Sequence, residues 1–169
     1  MSYNIFQDWK SNKGNIKARI ILVFFRIAHL ATINRLLFFL FIPYLIVYRV
    51  LVEWILCVEL PYKTKVGANF IIYHGQSLVI NDGSIIGKNC IVRHCTTLGN
   101  KQLAEGKYSA CPVLGDNVDI GCNVCIIGPI SIGDNVKIGA GSVVTKDVPS
   151  NSVVVGNPGR IISMAQSIK

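Results

Sequence analysis

Charged side chains are scarce in this 169-residue sequence: Asp, Glu, Lys and Arg make up 15% of it, whereas hydrophobic residues make up 51%. A disordered chain or a solvated coiled coil would carry far more charge, so the composition excludes both. The length suits one domain with its own core and is short for two. The composition therefore predicts a largely folded protein with a single core.

Acidic residues are the rarest of these, nine against seventeen Lys and Arg, which gives a net charge of +8. The excess lies at the start of the chain, because nine basic residues face three acids up to Lys65. A surface that attracts membrane phospholipid or nucleotide phosphates would explain it, and so would an ordinary solvated helix face. No RNA- or DNA-binding motif accompanies the charge, so we do not expect nucleic acid as a partner.

A secretory signal is also lacking, since the polar start MSYNIFQDWKSNKG has no short apolar core before a cleavage site. We therefore expect a cytoplasmic protein whose six cysteines are reduced thiols. Cys122 and Cys125 form a CxxC motif, but alone it is a weak metal signal. The two residues fall in a regularly repeating segment and are expected to point in different directions along it, which is poor geometry for zinc, so no metal is predicted.

The longest uncharged run is Leu36 to Tyr48, LLFFLFIPYLIVY. Its thirteen residues are fewer than the roughly twenty that a membrane-spanning helix needs, and Pro43 is expected to interrupt it. We therefore expect a pair of helices packed against the rest of the protein assembly. Interfacial attachment to a membrane, helped by the basic residues upstream, is the alternative.

The sequence changes character at about Pro61, after which aliphatic residues recur every six positions, often followed by Gly. A fixed period of six is typical of a β-helix with three short strands in each coil. An α-helix cannot hold this period, and an alternating strand would show a period of two. The twelve positions are Val66, Ile72, Leu78, Ile86, Val92, Leu98, Leu114, Ile120, Ile126, Ile132, Ile138 and Val144.

The period breaks twice. Between Leu78 and Ile86 the step is eight, which predicts a two-residue bulge near residues 81–83. Between Leu98 and Leu114 the step is sixteen, which predicts an extruded loop at about 100–112, and loops of this kind often carry substrate contacts. We therefore expect an apolar, basic helical region (1–60), a β-helix domain (61–155) and a C-terminal tail (156–169).

Four segments of the repeat, IGKNCIVRHCTTLGN, LGDNVDIGCNVCIIG, IGDNVKIGAGSVV and VVVGNPGR, resemble the hexapeptide-repeat acyltransferases, specifically the serine acetyltransferase branch. The apolar YR…E run and the HG and RHxxTxGN motifs are similar to the colanic acid biosynthesis acetyltransferase type. The resemblance covers about Leu45 to Ile162. It implies a left-handed parallel β-helix, an exception to the right-handed crossover rule, and a homotrimer that binds acetyl-CoA in clefts between subunits.

Histidines fall in one column of this coil. Residues one coil apart stack on neighbouring strands about 4.8 Å apart, so His74, His94, Cys122 and Ala140 are expected to occupy the same place on successive coils. A hydroxyl needs a base before it attacks an acetyl group, and imidazole has a pKa near the working pH. His74 is therefore the predicted general base and His94 a second catalytic candidate. The alternative is a corner histidine bonded to backbone.

The resemblance implies a partner for this base. Serine acetyltransferases carry an Asp fifteen residues before the catalytic His, and Glu59 has this spacing from His74. A carboxylate there would fix the tautomer of the imidazole and stabilise the imidazolium; a solvated Glu at a helix end is the alternative. Backbone N–H groups near Gly75 or Gly99 are candidates for stabilising the oxyanion.

The resemblance also implies the cofactor contacts. In related enzymes the pantetheine arm of CoA follows the coil past small residues, which here are Gly99, Cys122 and Ala140. Lys146 and Arg160 match basic positions near the coil end that contact CoA phosphates. A covalent acetyl-Cys122 intermediate is the alternative to direct transfer, but the related enzymes transfer directly, and small buried thiols are common core residues.

Departures from the serine acetyltransferase pattern bear on the acceptor. That branch has an Asp before the catalytic His and an Arg-His pair where the loop returns, and these positions read Tyr73, Ala110 and Cys111 here. A zwitterionic amino acid needs both an acid and a cation. The departures favour a sugar hydroxyl of a surface polysaccharide or its precursor, bound by Tyr73, Gly75 and Cys111. The alternatives are a serine O-acetyltransferase of cysteine biosynthesis and a non-catalytic hexapeptide scaffold.

Overall fold

A computed structural model describes residues 3–104 and 106–164. The chain begins with two helices, and each starts at an asparagine whose side-chain oxygen accepts a backbone N–H three residues further on. This bond satisfies an N–H that the helix itself leaves unpaired. The helical elements are α1 (Ile16–His29), a 3₁₀ turn (Leu30–Thr32), α2 (Arg35–Tyr48) and a π-helical continuation of α2 (Arg49–Ile55).

Short strands then wind into a parallel β-helix of about five coils, which confirms the predicted solenoid. The final strand turns back antiparallel to its predecessor. The strands are β1 (Val58–Glu59), β2 (Lys65–Val66), β3 (Ile71–Tyr73), β4 (Leu78–Ile80), β5 (Ile85–Ile86), β6 (Ile91–Arg93), β7 (Thr97–Gly99), β8 (Val113–Leu114), β9 (Asp119–Ile120), β10 (Cys125–Ile127), β11 (Ser131–Ile132), β12 (Lys137–Ile138), β13 (Val143–Val144), β14 (Ser152–Val155) and β15 (Arg160–Met164).

The strands form three sheets, one on each side of a triangular prism. Sheet A runs β1-β4-β7-β10-β13, sheet B runs β2-β5-β8-β11, and sheet C runs β3-β6-β9-β12-β14-β15. Eleven of the twelve predicted aliphatic positions are buried inside the prism, and Val66, on the first coil, is partly buried. The six-residue period is therefore the period of the core.

At one corner of the prism, sterics explain why glycine recurs directly after the buried aliphatic residue. A Cβ atom on Gly87 would lie 2.2 Å from the carbonyl oxygen of Gly115 on the next coil, and a Cβ on Gly67 would lie 2.5 Å from the carbonyl carbon of Gly87. Consecutive coils approach too closely there for any side chain.

The predicted position of the two-residue bulge is wrong. Ile80, not Leu78, stacks on Leu98, while Ile72 stacks on Val92. The extra residues therefore lie between β3 and β4, in the corner formed by residues 74–77, and not near residues 81–83. Leu78 also fits the repeat position, because it is buried and paired with Val58 of β1. Both Leu78 and Ile80 of β4 point inward, so the six-residue period does not distinguish them.

The helices cover the first coil through a buried ion pair. Arg26 and Asp8 are both almost fully buried and 2.7 Å apart. The Arg26 guanidinium also donates to the carbonyls of Val66 and Gly67, and Asp8 accepts the amide of Phe70. A buried charge is tolerated only when it is paired and hydrogen-bonded in this way.

The apolar run differs from the prediction at Pro43. α2 continues through Pro43 and does not break there. In addition, α2 packs against α1 and the first coil on one side only, so most of its apolar residues are exposed. Within the described residues one helical stretch, Arg35–Ile55, is long and apolar enough to cross a membrane, judged by length and composition.

The domain boundaries expected from the sequence, at residues 60/61 and 155/156, stay a prediction.

The candidate active site

His74 and His94 meet at the edge between sheets C and A, which we call the histidine corner (residues 74–77, 94–96, 121–124 and 139–142). β3 pairs with β6 so that Tyr73 lies beside Arg93, and the two histidines follow directly. Their rings are edge to face with centroids 5.6 Å apart. The predicted column is thus present, and both rings line a cleft of about 370 Å³ together with Tyr73, Arg93 and Cys122.

The backbone at this corner aims the first histidine outward. His74 has φ 67°, a left-handed conformation that is uncommon for a residue with a side chain. Gly75 (φ 73°) and Ser77 (φ 52°) share it, so three of the four residues in the widened corner are left-handed. Conformations of this kind persist where the surrounding structure imposes them, and they concentrate at functional sites.

The polar atoms of the two imidazoles are largely unpartnered. His94 Nδ1 is buried and has no hydrogen-bond partner in the part of the chain that the structure describes, whereas a buried ring nitrogen normally has one. His74 makes no side-chain hydrogen bond to any residue of 3–104 or 106–164. Glu59 is exposed on sheet A, beside Val79, and no hydrogen bond or ion pair joins its carboxylate to His74 within the same described ranges. The structure does not bring this predicted pair together.

Arg93 is a site residue that the sequence reasoning missed. Its Nη1 donates to Asp119 Oδ1 at 2.5 Å and to the Ile120 carbonyl at 2.7 Å, and its guanidinium lies 5.5 Å from the centre of the Tyr73 ring. Its charge is therefore neutralised within the cleft, and its guanidinium lies over the ring of the exposed Tyr73. The signal was available, because Arg93 immediately precedes His94 and stacks on the residue before His74.

The predicted pantetheine contacts divide between two edges of the prism. Cys122 and Ala140 continue the histidine corner, since Gly141 N donates to the Cys122 carbonyl and Asn123 N to the His94 carbonyl. Gly99 instead ends β7 at the opposite edge of sheet A, where a Cβ would lie 3.5 Å from Ile127. The structure therefore groups Cys122 with Ala140 and separates Gly99 from them.

The two predicted phosphate ligands come together. Lys146 and Arg160 line one cavity of about 500 Å³ at the C-terminal end of the coil, although they are fourteen positions apart. β15 folds back on β14, and Gly159 N donates to the Val143 carbonyl, which places Arg160 beside the last coil. Asp147 also lines this cavity and offsets part of the positive charge.

Cys111 lies on the edge between sheets A and B, which we call the loop corner (residues 81–84, 100–104, 106–112 and 128–130). Its Sγ donates to Asn81 Oδ1 at 3.1 Å, and burial, aided by the negative charge of Asp82, raises the pKa of the thiol.

The other two predicted acceptor-binding residues, Tyr73 and Gly75, lie at the histidine corner instead. The Gly75 N–H donates to the Tyr73 carbonyl at 2.9 Å, so it would have to leave this bond to stabilise an oxyanion.

No group of three or more His, Cys, Asp or Glu residues comes together as a metal site in the described parts of the chain. The six cysteines are all free thiols. The site therefore offers imidazole, thiol, guanidinium and phenol groups as its chemistry.

Comparisons with known proteins agree on the fold and the type of reaction. Residues 111–146 match the family "Bacterial transferase hexapeptide (six repeats)". WcaB of Escherichia coli (strain K12) carries the name colanic acid biosynthesis acetyltransferase. It is 34% identical to this chain over 161 residues, which cover 93% of this chain and 98% of WcaB. A serine acetyltransferase of Synechococcus elongatus is 43% identical over 105 residues, 62% of this chain and 42% of that protein.

Solved structures give the same result. A serine acetyltransferase from Brucella abortus in complex with coenzyme A superposes with a TM-score of 0.75 and 27% identity, over 90% of this chain and 58% of that one. Soybean serine acetyltransferase complexed with serine gives a TM-score of 0.73 and 28% identity, over 94% and 68% of the two chains. These matches confirm the left-handed parallel β-helix that the resemblance implied.

Proposed function

Since this chain belongs to the bacterial hexapeptide-repeat transferases and is an acetyltransferase, we propose that it acetylates a sugar hydroxyl of a surface polysaccharide (capsule, exopolysaccharide or O-antigen) or its precursor, with acetyl-CoA as donor. The observation that carries the proposal is the match to WcaB along nearly the whole of both chains, including the N-terminal helices. The alignment with the Synechococcus elongatus serine acetyltransferase, by contrast, covers 62% of this chain and 42% of that protein.

Direct transfer at the histidine corner needs few groups. The neutral imidazole of His74 takes the proton of the acceptor hydroxyl while the oxygen attacks the thioester carbonyl of acetyl-CoA. The tetrahedral intermediate then expels the CoA thiolate, which recovers a proton from the imidazolium, so the base is regenerated. His94, 5.6 Å away, is placed to bind the acceptor or the oxyanion.

The donor fits the side of the prism that the small residues leave open. Cys122 and Ala140 leave room for an extended arm along the histidine corner, because neither projects a long side chain. Lys146 follows β13 on the loop-corner edge of sheet A, and it shares one cavity with Arg160 at the C-terminal end of the prism, where both can pair with phosphates. A CoA molecule lying along the prism would therefore place its thioester near His74 and its phosphates near these cations.

The acceptor argument rests on the charges of the cleft. Arg93 is the cation nearest the histidines, and its pairing with Asp119 leaves little positive charge for a substrate carboxylate. Tyr73 is 43% exposed and held by the Arg93 guanidinium, so its ring face suits stacking on a sugar. These features favour a neutral hydroxyl-rich acceptor over a free amino acid.

We also propose that the active site forms between subunits of a homotrimer. In one chain the histidine corner and the loop corner lie on opposite edges of sheet A, three residues or about 10 Å apart, with the packed core behind them. The predicted site residues are divided between these edges. Packing of two prisms side by side would bring one subunit's loop corner, with Gly99 and Cys111, against another's histidine corner.

Serine O-acetylation is the second candidate. It is favoured by the 43% identity over 105 residues to a protein named serine acetyltransferase, against 34% over 161 residues to WcaB. For the cell compartment we propose the cytoplasm, which suits six free thiols and an acetyl-CoA donor.

One experiment separates the two acceptors. The purified full chain is incubated with acetyl-CoA and either L-serine or a panel of surface glycans and their oligosaccharide precursors, and released CoA thiol and acetylated product are measured together. We expect turnover with a glycan and negligible turnover with serine. Saturable serine acetylation at an ordinary efficiency, about 10⁴ M⁻¹s⁻¹ or more, would overturn the sugar assignment and support the second candidate.

A further inference from the structure

The outward side of α2 is an apolar surface that the described chain leaves uncovered. On α2 its members fall within about a third of the helix circumference at roughly 100° per residue, so they share one side of the helix, and Leu36 and Leu40 are 78% and 70% exposed. Trp54 extends the surface on the π-helical continuation. We call this surface the outer stripe; it comprises Leu36, Phe39, Leu40, Ile46, Val47 and Trp54.

The opposite side of the same helix is fixed to the protein. The Tyr44 hydroxyl donates to the Phe24 carbonyl at 3.0 Å, and the two rings are stacked. The Tyr48 hydroxyl donates to the Leu60 carbonyl, and Val52 is buried. A helix held along its length by such contacts cannot leave the fold to cross a bilayer, so a membrane would be met by the outer stripe with the helix lying in the plane of the surface.

Spanning is disfavoured by charge as well. The Arg49–Glu53 ion pair, with 3.3 Å between its charged atoms, lies within the 21-residue stretch from Arg35 to Ile55. Moving both groups into hydrocarbon is costly. At an interface, by contrast, the charged groups stay in the headgroup layer while the stripe enters the acyl boundary.

The charges around the stripe match an anionic surface. Arg35 begins α2 and Lys63 follows the first strand, both exposed, and they line one cavity beside Phe38. Arg49 is 63% exposed, whereas its partner Glu53 is only 13% exposed. Of the three acids up to Lys65, Asp8 is buried against Arg26, so Glu59 is the one that remains well exposed. A second copy of this chain would bring the same positive charge, whereas an anionic bilayer complements it.

We propose that the outer stripe docks the protein, helix in plane, on the surface of an anionic phospholipid bilayer. The docking helix is part of the structure that carries the active site. α2 packs on α1, and Asn12 and Asn15, just before α1, donate to the carbonyls of Phe70, which precedes β3, and Ile72 on β3, the strand that ends one residue before His74. Docking therefore holds the first coil and its histidine close to the membrane, where a membrane-attached acceptor would be reached.

The test is flotation of the full chain with vesicles, without acetyl-CoA or acceptor, so that its outcome does not depend on the proposed function. Vesicles of phosphatidylcholine alone are compared with vesicles that also contain phosphatidylglycerol. The variant Leu40→Glu/Val47→Glu adds two charges to the stripe at exposed positions. The control Tyr108→Glu adds a charge to an equally exposed side chain, 67% against 70% for Leu40, on the extruded loop.

We expect binding to the anionic vesicles that weakens as salt is raised, a loss of about tenfold or more in the stripe variant, and no loss in Tyr108→Glu. Circular dichroism and sedimentation velocity of each variant check that fold and mass are unchanged. Failure of the wild-type chain to bind anionic vesicles overturns the proposal. A fall in oligomeric mass of the stripe variant, without vesicle binding by the wild type, overturns it too and assigns the stripe to contacts between copies of the chain.

Discussion

His74 and His94 stand edge to face, 5.6 Å apart, where the coil between β3 and β4 carries two more residues than the regular period. The extra residues widen the corner directly after His74 and leave its ring free of side-chain hydrogen bonds in the described chain. The position of the insertion and the position of the general base are thus linked. A regular coil would return to sheet A two residues earlier and leave less room beside the ring.

Ala140 tests the path of the cofactor. Replacing Ala140, an exposed residue one coil beyond Cys122, with Trp would fill the proposed track of the pantetheine arm. We expect Ala140→Trp to weaken CoA binding by about tenfold or more, a loss of roughly 1.4 kcal/mol, while Ala140→Ser binds normally. Calorimetric titration with CoA gives the affinities. Equal affinities in both variants would mean that the arm runs elsewhere.

Cys122 tests direct against covalent transfer. Its thiol lines the histidine cleft, so a double displacement through an acetyl-thioester is chemically conceivable. If transfer is direct, Cys122→Ala keeps kcat within about threefold of the wild type, because Ala only shortens the side chain. Steady-state turnover measures this. A fall of about a thousandfold, or an acetylated Cys122 peptide trapped from the wild type, would contradict direct transfer.

Asn117 tests a ladder of asparagine side chains that are hydrogen-bonded from coil to coil along one edge of the prism. Its side chain accepts from Asn89 and donates to Asn135 at about 3 Å, and its φ is 59°. Asn117→Ala loses both bonds and strains a left-handed residue, so we expect a loss of about 2–3 kcal/mol. Asn117→Gly loses the bonds without the strain and should be about 1 kcal/mol more stable than the Ala variant. Urea unfolding at one protein concentration measures both; an Ala variant as stable as the Gly variant would refute the strain.

Thiol labelling tests the burial of Cys90. Burial raises the pKa of this thiol to about 11, and its side chain is inaccessible. At pH 9 only roughly 1% of such a group is thiolate, whereas Cys57 and Cys95 are exposed. Mass spectrometry after brief alkylation of the native protein should find Cys57 and Cys95 modified and Cys90 not. Raising the pH towards 11 increases its thiolate fraction but not its access, so Cys90 should still react last. Early labelling of Cys90 would contradict its place in the core.

Much of the fold was predictable because the six-residue period is imposed by the core itself. Every coil must place one aliphatic side chain inward on each sheet, and the sequence shows this at residues such as Ile120, Ile126 and Ile132. The position of the bulge was not predictable from that period, since Leu78 and Ile80 both point inward. Only the pairing of strands decides between them.

The sequence predicted which site residues stack on one another in successive coils. It did not predict which of them lie on the same edge of the prism. The column of His74, His94, Cys122 and Ala140 follows from counting residues. Gly99 is separated from that column by the width of sheet A. The six-residue period gives the spacing of residues along the chain but not their distance across a sheet. What covers the exposed side of α2 was not predictable, because an apolar run shows that burial is favourable but not what provides it.

The most direct test of this account is the kinetics of His74→Ala. If His74 is the base for the acceptor hydroxyl, kcat for acetyl transfer from acetyl-CoA falls by about 10² to 10⁴, while the CoA affinity measured by calorimetry stays within about twofold of the wild type. The change Cys95→Ala, at an exposed residue beside His94, serves as control and should leave both unchanged. Near-normal turnover of His74→Ala would contradict the account.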